Sequence, residues 1–285
     1  MLKSRIIITT LHEETVILET TRGCPQGGVL SPILWTLVVD SLLVEQLNEN
    51  GYLSLGYADD IVILILGKYM DISLELMQHA LAIVENWCNN ERLRVNPEKT
   101  TIIPFTRRLL NSNVETPTLF GTKLAMANEV KYLGVTLDKK LTWNCHIKKI
   151  ADKAQVCMNT CRRAFGKIWG LNPKMVHWMY TMITRPLITY GALVWPKIEQ
   201  VTAKAKLNRI QRQACLGITG AMSTTPSLAL DAILDLPPLD IYIKGMARAA
   251  SYRLECNKTW KPKNPQLGHP RINSIINDER LHNYD

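Results

Sequence analysis

Two adjacent carboxylates lie between two apolar segments of the chain, in the run Tyr57-Ala58-Asp59-Asp60. Segments 52–57 and 61–66 have the composition of β-strands, which predicts a hairpin with the acids at its tip. Carboxylates held close together repel each other, and a divalent cation relieves that repulsion. Mg²⁺ binds one or two carboxylates while waters and substrate phosphates complete its shell. Asp59 and Asp60 are therefore candidate catalytic metal ligands for phosphoryl transfer, although such a pair is also common in polar turns.

A glycine-rich loop, 23–28, precedes the first helical pattern. Glycine has no Cβ, so the backbone of this loop can approach a ligand closely, and two nearby side chains can donate hydrogen bonds to it. The residues concerned are Arg22, Gly23, Gln26, Gly27 and Gly28. The plain alternative is a loop that only leads into the helix, which Ser31 as capping residue and Pro32 in the first turn would begin.

The hydrophobic periodicity predicts an α+β fold in which an antiparallel sheet with packed helices is followed by a helical region. We expect strands over 5–10, 14–21, 52–57, 61–66, 101–105, 117–120 and 129–137, and helices over 31–51 and 71–92. Helical patterns dominate after about residue 140. The predicted organisation is one domain over 1–140, a helical domain over 141–256, and a polar, proline-bearing tail over 257–285.

Charge divides the chain at the same place. The whole chain has 34 Lys+Arg against 25 Asp+Glu, a net charge of +9, but residues 141–285 carry 21 basic and 9 acidic residues. This basic half suits a polyanionic partner, with a solvated helix surface as the alternative. The candidate contacts to a nucleic-acid backbone are Lys148, Lys149, Lys153, Arg162, Arg163 and Lys167 on one predicted helix, and Arg209 and Arg212 on another.

Composition excludes several classes of protein. With 46% hydrophobic and 21% charged residues, the chain is neither disordered nor collagen-like. No apolar run is long enough to span a membrane, and no signal-peptide core follows Met1. The seven cysteines are scattered without a C-x-x-C pair, which is typical of reduced thiols. We therefore expect an intracellular protein of the cytoplasm and nucleus that has no membrane contact.

These segments together resemble the reverse transcriptases of non-LTR (LINE-type) retrotransposons, particularly the jockey and I-element-like groups of animals. The run 57–60 matches the catalytic box, and 21–32 is similar to the box before it almost letter for letter. Segment 93–100 is similar to the next box along the chain, and 131–138 resembles the primer-grip region. The similarity covers about residues 5–256, where 169–171, 190–192, 211–212 and 219–230 look like the thumb and the segment after it.

The resemblance implies a polymerase palm followed by an α-helical thumb. It also implies an RNA-directed DNA polymerase that uses an RNA template, a DNA primer, dNTPs and Mg²⁺ or Mn²⁺. Asp59 and Asp60 would bind the metal, and the nucleotide and template would contact Arg22, Gly23, Gln26, Gly27, Gly28, Tyr57, Ala58 and Lys99. Lys99 would approach the pyrophosphate leaving group, unless it is a solvated lysine after a helix end. The primer grip would be Tyr132, Leu133, Gly134 and Val135, with Leu133, Val135 and Leu137 also alternating as core residues of a strand.

The family's site also needs an aspartate from a strand upstream of the glycine loop, and the residues before Gly23 contain none. We therefore expect a fragment truncated at its N-terminus, without the fingers and the first catalytic strand. It would bind metal weakly or not at all and would lack polymerase activity on its own. The alternative is a non-catalytic nucleic-acid-binding remnant. The oligomeric state stays open.

Overall fold

A computed structural model of the chain describes residues 5–11, 14–20, 23–106, 115–163, 172–195 and 201–257. The chain divides into two compact units. Unit 1 ends at Ala127 and unit 2 begins at Asn128, except that the short segment Phe105–Arg107 belongs to unit 2. Helices predominate and the strands form small pairs, which confirms the α+β class. Within the described ranges, no helix has the length and apolar character to cross a membrane.

Unit 1 begins with an antiparallel hairpin in which Ile8 pairs with Ile17. Pro32 lies in the first turn of the next helix. Backbone N–H groups in a first turn have no acceptor within the helix, so proline loses no hydrogen bond there. The elements are β1 (Arg5–Leu11), β2 (Glu14–Thr20), α1 (Ser31–Asp40) continuing as a π-helix (Ser41–Asn48), β3 (Leu53–Tyr57), β4 (Asp60–Leu64), α2 (Met70–Glu91), a 3₁₀-helix (Pro97–Lys99), β5 (Thr101–Ile102), β6 (Thr118–Leu119), β7 (Thr122–Lys123) and β8 (Ala125–Met126).

The core of unit 1 forms between α1, its π-helical continuation and α2. The helix predicted over 71–92 is confirmed as α2, and its apolar residues Leu81, Val84 and Cys88 are buried. Val39 and Leu42 are buried opposite them, and further hydrophobic side chains from β4 pack against this cluster. Burial of these apolar stripes is what fixes the β3–β4 hairpin over the two helices.

The predicted antiparallel sheet is not continuous in the described residues, whose strands form five separate two-stranded sheets, four of them antiparallel. One of these, β5 with β8, is parallel. The predicted strand over 101–105 contains only Thr101 and Ile102, because Pro104 has no N–H to donate to a ladder.

Unit 2 is a hairpin followed by packed helices. Its elements are β9 (Glu129–Tyr132), β10 (Val135–Asp138), α3 (Asn144–Arg163), α4 (Pro173–Met179) continuing through a π-helix (Tyr180–Thr184) into α5 (Arg185–Thr189), α6 (Val201–Thr219), α7 (Ser227–Ile233) and α8 (Leu239–Cys256). Helices α3 and α6 pack together through buried residues such as Ile147, Ala151, Leu207 and Ile210.

The predicted single strand over 129–137 is instead the β9–β10 hairpin. Leu133 and Gly134 form its turn with φ of 45° and 82°, so neither residue can continue a strand. Leu133 is 37% exposed, and its expected place in the core is wrong. Gly134 supplies one of the two positive φ values that turn the chain, and the alternation of apolar residues alone does not show that this segment contains two strands.

Candidate active site

The two carboxylates lie at the end of a tight hairpin, as predicted. Tyr57 pairs with Asp60, so a two-residue loop of Ala58 and Asp59 joins β3 to β4. Ala58 has φ of 54°, a conformation that two-residue hairpin loops need at one or both central positions. Asp59 and Asp60 are both exposed. Asp60 begins β4 rather than lying in the loop. The strand therefore fixes the backbone of Asp60, and the turn fixes the backbone of Asp59.

The register of the hairpin places Asp60 on its open face. Leu55 and Tyr57 share that face and are 49% and 63% exposed. On the opposite face Ser54 is buried, and a Cβ on Gly56 would lie 2.7 Å from Leu43 Cδ1. One face therefore anchors the hairpin to the core of unit 1, while the other leaves the carboxylates accessible.

Trp35 of α1 contacts the acidic turn. Its indole N–H donates a hydrogen bond of 2.6 Å to the carbonyl oxygen of Ala58. The ring is half-buried and packs against the core around Val39 and Leu42. Trp35 was not among the site residues predicted from the sequence. The available signal was a large aromatic residue with a polar N–H beside the predicted apolar stripe of the helix.

The glycine-rich loop is held by the same helix. The carbonyl of Pro25 accepts hydrogen bonds from the N–H of Gly28 and, at 2.7 Å, from the hydroxyl of Ser31. A Cβ on Gly28 would lie 2.7 Å from that hydroxyl oxygen and 3.2 Å from the carbonyl oxygen of Pro25, so a larger residue here would displace the Ser31 hydroxyl from its hydrogen bond. Ser31 is thus the first residue of α1 and does not cap it, which corrects the prediction, although the start of the helix is confirmed. Gly23 and Gly27 have positive φ, Gln26 is exposed, and Arg22 lies outside the described residues.

One turn of α1 therefore connects the two predicted site segments. Ser31 and Trp35 are four residues apart, which places their Cβ atoms about 5–6 Å from each other on one helix face. Ser31 fixes a carbonyl of the glycine loop and Trp35 fixes a carbonyl of the acidic turn. The structure thus brings the loop 23–28 and the turn 57–60 together through α1.

The donor set at the turn suits a hard divalent cation. Two exposed carboxylates offer oxygen ligands only, which Mg²⁺ and Mn²⁺ prefer, and they leave room for waters and phosphate oxygens. In the part of the chain that the structure describes, no group of three or more His, Cys, Asp or Glu residues is placed to hold a metal. Asp59 and Asp60 could therefore serve as the protein ligands of a magnesium ion whose remaining ligands would be substrate and water.

The remaining predicted nucleotide and primer residues lie in other segments. Lys99 is exposed at the end of the 3₁₀-helix Pro97–Lys99. Tyr132 and Val135 flank the turn of the β9–β10 hairpin in unit 2. Their proposed contacts with nucleotide and primer stay predictions.

The β9–β10 turn is fixed from the helices of unit 2. The hydroxyl of Tyr190 donates a hydrogen bond of 2.9 Å to the carbonyl of Leu133. A Cβ on Gly134 would lie 3.0 Å from Tyr190 Cε1. Further along the hairpin, the N–H of Thr136 donates to Nδ1 of His146 at 3.0 Å. The predicted primer-grip segment is therefore held at two points.

His146 is buried and neutral. Burial lowers the pKa of His146 to about 4, and the positive charges of Lys153 and Lys149 contribute to this lowering. Because Nδ1 accepts a hydrogen bond, the ring proton lies on Nε2, which has no hydrogen-bond partner within the described residues. The ring meets Trp195 edge-on, with 5.5 Å between centroids.

Two of the predicted nucleic-acid contacts are engaged within the protein. The ammonium of Lys149 lies 2.6 Å from Glu129, and this hydrogen bond lowers the pKa of Glu129. The guanidinium of Arg212 donates to the hydroxyl of Ser227 at 2.8 Å and to the carbonyl of Ser223 at 2.6 Å. Both side chains have structural partners, which sequence spacing could not reveal.

Three other predicted contacts are exposed, namely Lys148, Lys153 and Arg209, and none forms an ion pair within the described ranges. Lys148 faces α6, whereas Lys153 is close enough to His146 to lower its pKa. The basic residues of α3 therefore lie on more than one face. The side chains of Arg162 and Arg163, and all of Lys167, lie outside the described residues.

A groove lined by both polar and apolar residues runs between α3 and α6. Two adjoining cavities of about 410 and 310 Å³ share Ala151 and Lys206 as lining residues. Lys148 borders one of them and Arg209 the other. The ammonium of Lys206 is paired with Asp152 at 2.6 Å. Among the described residues, Lys148 and Arg209 thus border the groove without ion-pair partners, and the Lys206–Asp152 ion pair lies near its middle.

Comparisons with known proteins point to one family. The family model described as reverse transcriptase (RNA-dependent DNA polymerase) matches residues 2–137. A 115 kDa protein in the type-1 retrotransposable element R1DM of Drosophila melanogaster is 30% identical over 82% of this chain and 22% of its own length. The Pol polyprotein from the type-1 retrotransposable element R1 of Bradysia coprophila is 30% identical over 72% of this chain and 21% of its own.

The RNA-directed DNA polymerase from the mobile element jockey of Drosophila melanogaster is 28% identical over 81% of this chain and 25% of its own length. This chain therefore spans about a fifth to a quarter of the length of these relatives. No solved structure matches it.

Proposed function

The chain belongs to the reverse transcriptase family of retrotransposable elements, and from that membership we propose that Asp59 and Asp60 are metal-binding carboxylates of an RNA-directed DNA polymerase. The observation that carries this proposal is the pair of exposed carboxylates on a hairpin whose turn is tied to α1, one helical turn from the anchor of the glycine loop. The reaction joins a primer 3′-hydroxyl to the α-phosphate of a dNTP and releases pyrophosphate.

The residues of this chain would divide that work between them. Asp59 and Asp60 would hold divalent cations, which supply charge stabilisation for the attacking and leaving oxygens. The loop 23–28 would let its backbone lie against the nucleotide and template, since its glycines present no Cβ. Lys99 would neutralise the leaving pyrophosphate, and the turn at Leu133 and Gly134 would contact the primer backbone.

We further propose that residues 1–285 alone do not polymerise. Two carboxylates give a divalent cation less charge and fewer ligands than the three of the family's site. In this assignment residues 1–140 belong to the palm and residues 141–256 to the thumb, and residues 257–285 are a polar tail of an intracellular protein.

A primer-extension assay tests the proposal directly. Purified chain is mixed with an RNA template, an annealed DNA primer, dNTPs and Mg²⁺ or Mn²⁺, and no extension is expected. Extension that disappears in the D59N/D60N variant would overturn the proposed inactivity and keep the catalytic assignment. Extension that persists in that variant would overturn the assignment itself.

A second candidate function, non-catalytic binding of a primer–template duplex, is favoured by the α3–α6 groove. Lys148 and Arg209 border it without ion-pair partners among the described residues. Such contacts with phosphates give affinity without sequence choice, and the affinity falls steeply with salt. A salt titration of duplex binding by the chain tests this function, and no affinity even at low salt would exclude it.

A further inference from the structure

The backbone of the acidic turn adopts a conformation that its sequence does not favour. Ala58 has φ of 54°, a region that L-residues other than glycine, asparagine and aspartate rarely enter. The cost of this conformation is of the same order as the net gain from one hydrogen bond. A single well-placed donor can therefore decide whether the turn keeps its shape.

Trp35 supplies that donor. Its indole N–H lies 2.6 Å from the carbonyl oxygen of Ala58, the residue between Tyr57 and Asp59. The ring packs against the core of unit 1, so the donor sits on a rigid base rather than on a mobile chain. Its position in the first half of α1 also fixes it relative to Ser31, which anchors the glycine loop.

We propose that Trp35 is a positioning residue, whose indole N–H holds the Ala58 turn in the left-handed conformation that presents Asp59 and Asp60. This inference rests on the proposed function for the meaning of the two carboxylates, but the geometry of the turn can be measured without metal or nucleic acid. Trp35 itself acts through the turn and is assigned no contact with a reacting group.

Trp35→Phe removes the N–H donor and keeps an aromatic ring. Trp87→Phe is a matched control, since the indole N–H of Trp87 donates to the hydroxyl of Ser41 at 2.9 Å in the same core, away from the turn. Hydrogen–deuterium exchange followed by mass spectrometry would report on the peptide covering 53–64 in both variants. We expect W35F to raise exchange in that peptide by about five- to tenfold and W87F to leave it unchanged relative to the rest of unit 1.

Ala58→Gly separates positioning from simple packing. Glycine adopts positive φ without penalty, so in the W35F/A58G double variant the exchange of peptide 53–64 should return towards the wild-type value. A loss of ring packing at position 35 would not be rescued by this change at position 58.

Three results would overturn the inference. Exchange in W35F could match that in W87F, A58G could fail to rescue it, or W35F could unfold the whole of unit 1. If metal binding does not depend on Asp59 and Asp60 while W35F still opens the turn, the proposed function fails and this inference stands.

Discussion

At the scale of single residues, the sequence identifies the groups that can do chemistry but not the groups that hold them. The hairpin turn at Asp59 and Asp60 and the loop at 23–28 were predictable because their residue types and spacing are unusual, and their roles in binding and catalysis stay predictions. The hydrogen bond from Trp35 to Ala58 was not predictable, because periodicity shows which helix face is buried and not which carbonyl a side chain reaches. Ser31 illustrates the same limit, since its hydroxyl donates to Pro25 rather than capping α1.

His146 gives a pH prediction. Its pKa of about 4 in the folded chain lies below the ordinary value of 6.5, so between these values the unfolded chain binds a proton that the folded chain does not. The folded state should therefore lose stability as the pH falls from about 6.5 to 4, by about 3 kcal/mol in total. Above pH 7 the neutral His146 makes its full contribution to the stability of the folded state.

Urea unfolding at several pH values measures this effect by comparison with His146→Asn. The asparagine carbonyl can still accept the Thr136 N–H but does not titrate. On acidification, the free energy of unfolding should fall more in the wild type than in H146N. A difference that stays constant from pH 7 to 4 would contradict the assignment of a buried neutral histidine.

At the scale of elements, helices were predicted more successfully than strands. The stripe of α2 repeats over 22 residues, and its predicted bounds agree closely with Met70–Glu91. Strands of two to four residues carry too few alternations to mark their ends, so the pattern over 129–137 predicts one strand where the structure has the β9–β10 hairpin. The two positive φ values at Leu133 and Gly134 could not be inferred from alternation.

The turn of that hairpin allows a stability test with Gly134→Ala. Alanine would be strained at φ of 82° and would place a methyl group 3.0 Å from Tyr190. We expect a loss of about 1–2 kcal/mol in the free energy of unfolding, measured by urea denaturation.

Gly245→Ala is the matched control for that substitution. Gly245 lies inside α8 and a Cβ there meets no atom within 4 Å, so alanine should stabilise the chain by about 0.5–1 kcal/mol. Equal effects of the two substitutions would show that the turn does not require glycine.

At the scale of the whole molecule, the order of the motifs and the step in charge were visible in the sequence. The sequence does not show which cations are available to contact a phosphate, because Lys149 and Lys204 pair with carboxylates that lie 20 or more residues away along the chain. The hydrogen bond from Lys204 lowers the pKa of Asp240, as that from Lys149 does for Glu129. Ion pairing of this kind depends on tertiary packing.

Two double variants distinguish available from engaged cations in duplex binding. K148A/R209A and K149A/K204A each remove one positive charge from α3 and one from α6. The first should weaken binding and lower the slope of log affinity against log salt by about two, since each phosphate contact contributes about 0.9. The second should leave the slope nearly unchanged. If both variants lower the slope equally, the duplex does not follow the groove bordered by Lys148 and Arg209.

The metal-binding role of Asp59 and Asp60 is the central claim, and Mn²⁺ broadening of amide NMR signals in the ¹⁵N-labelled chain tests it most directly. This measurement detects weak binding, and the D71N/E75Q variant is a control that removes two exposed acids from α2 of the same unit. We expect millimolar Mn²⁺ to broaden the amides of residues 57–61 in the wild type and in D71N/E75Q, but not in D59N/D60N. Unbroadened turn amides in the wild type, or equal broadening in D59N/D60N, would contradict the metal-binding role.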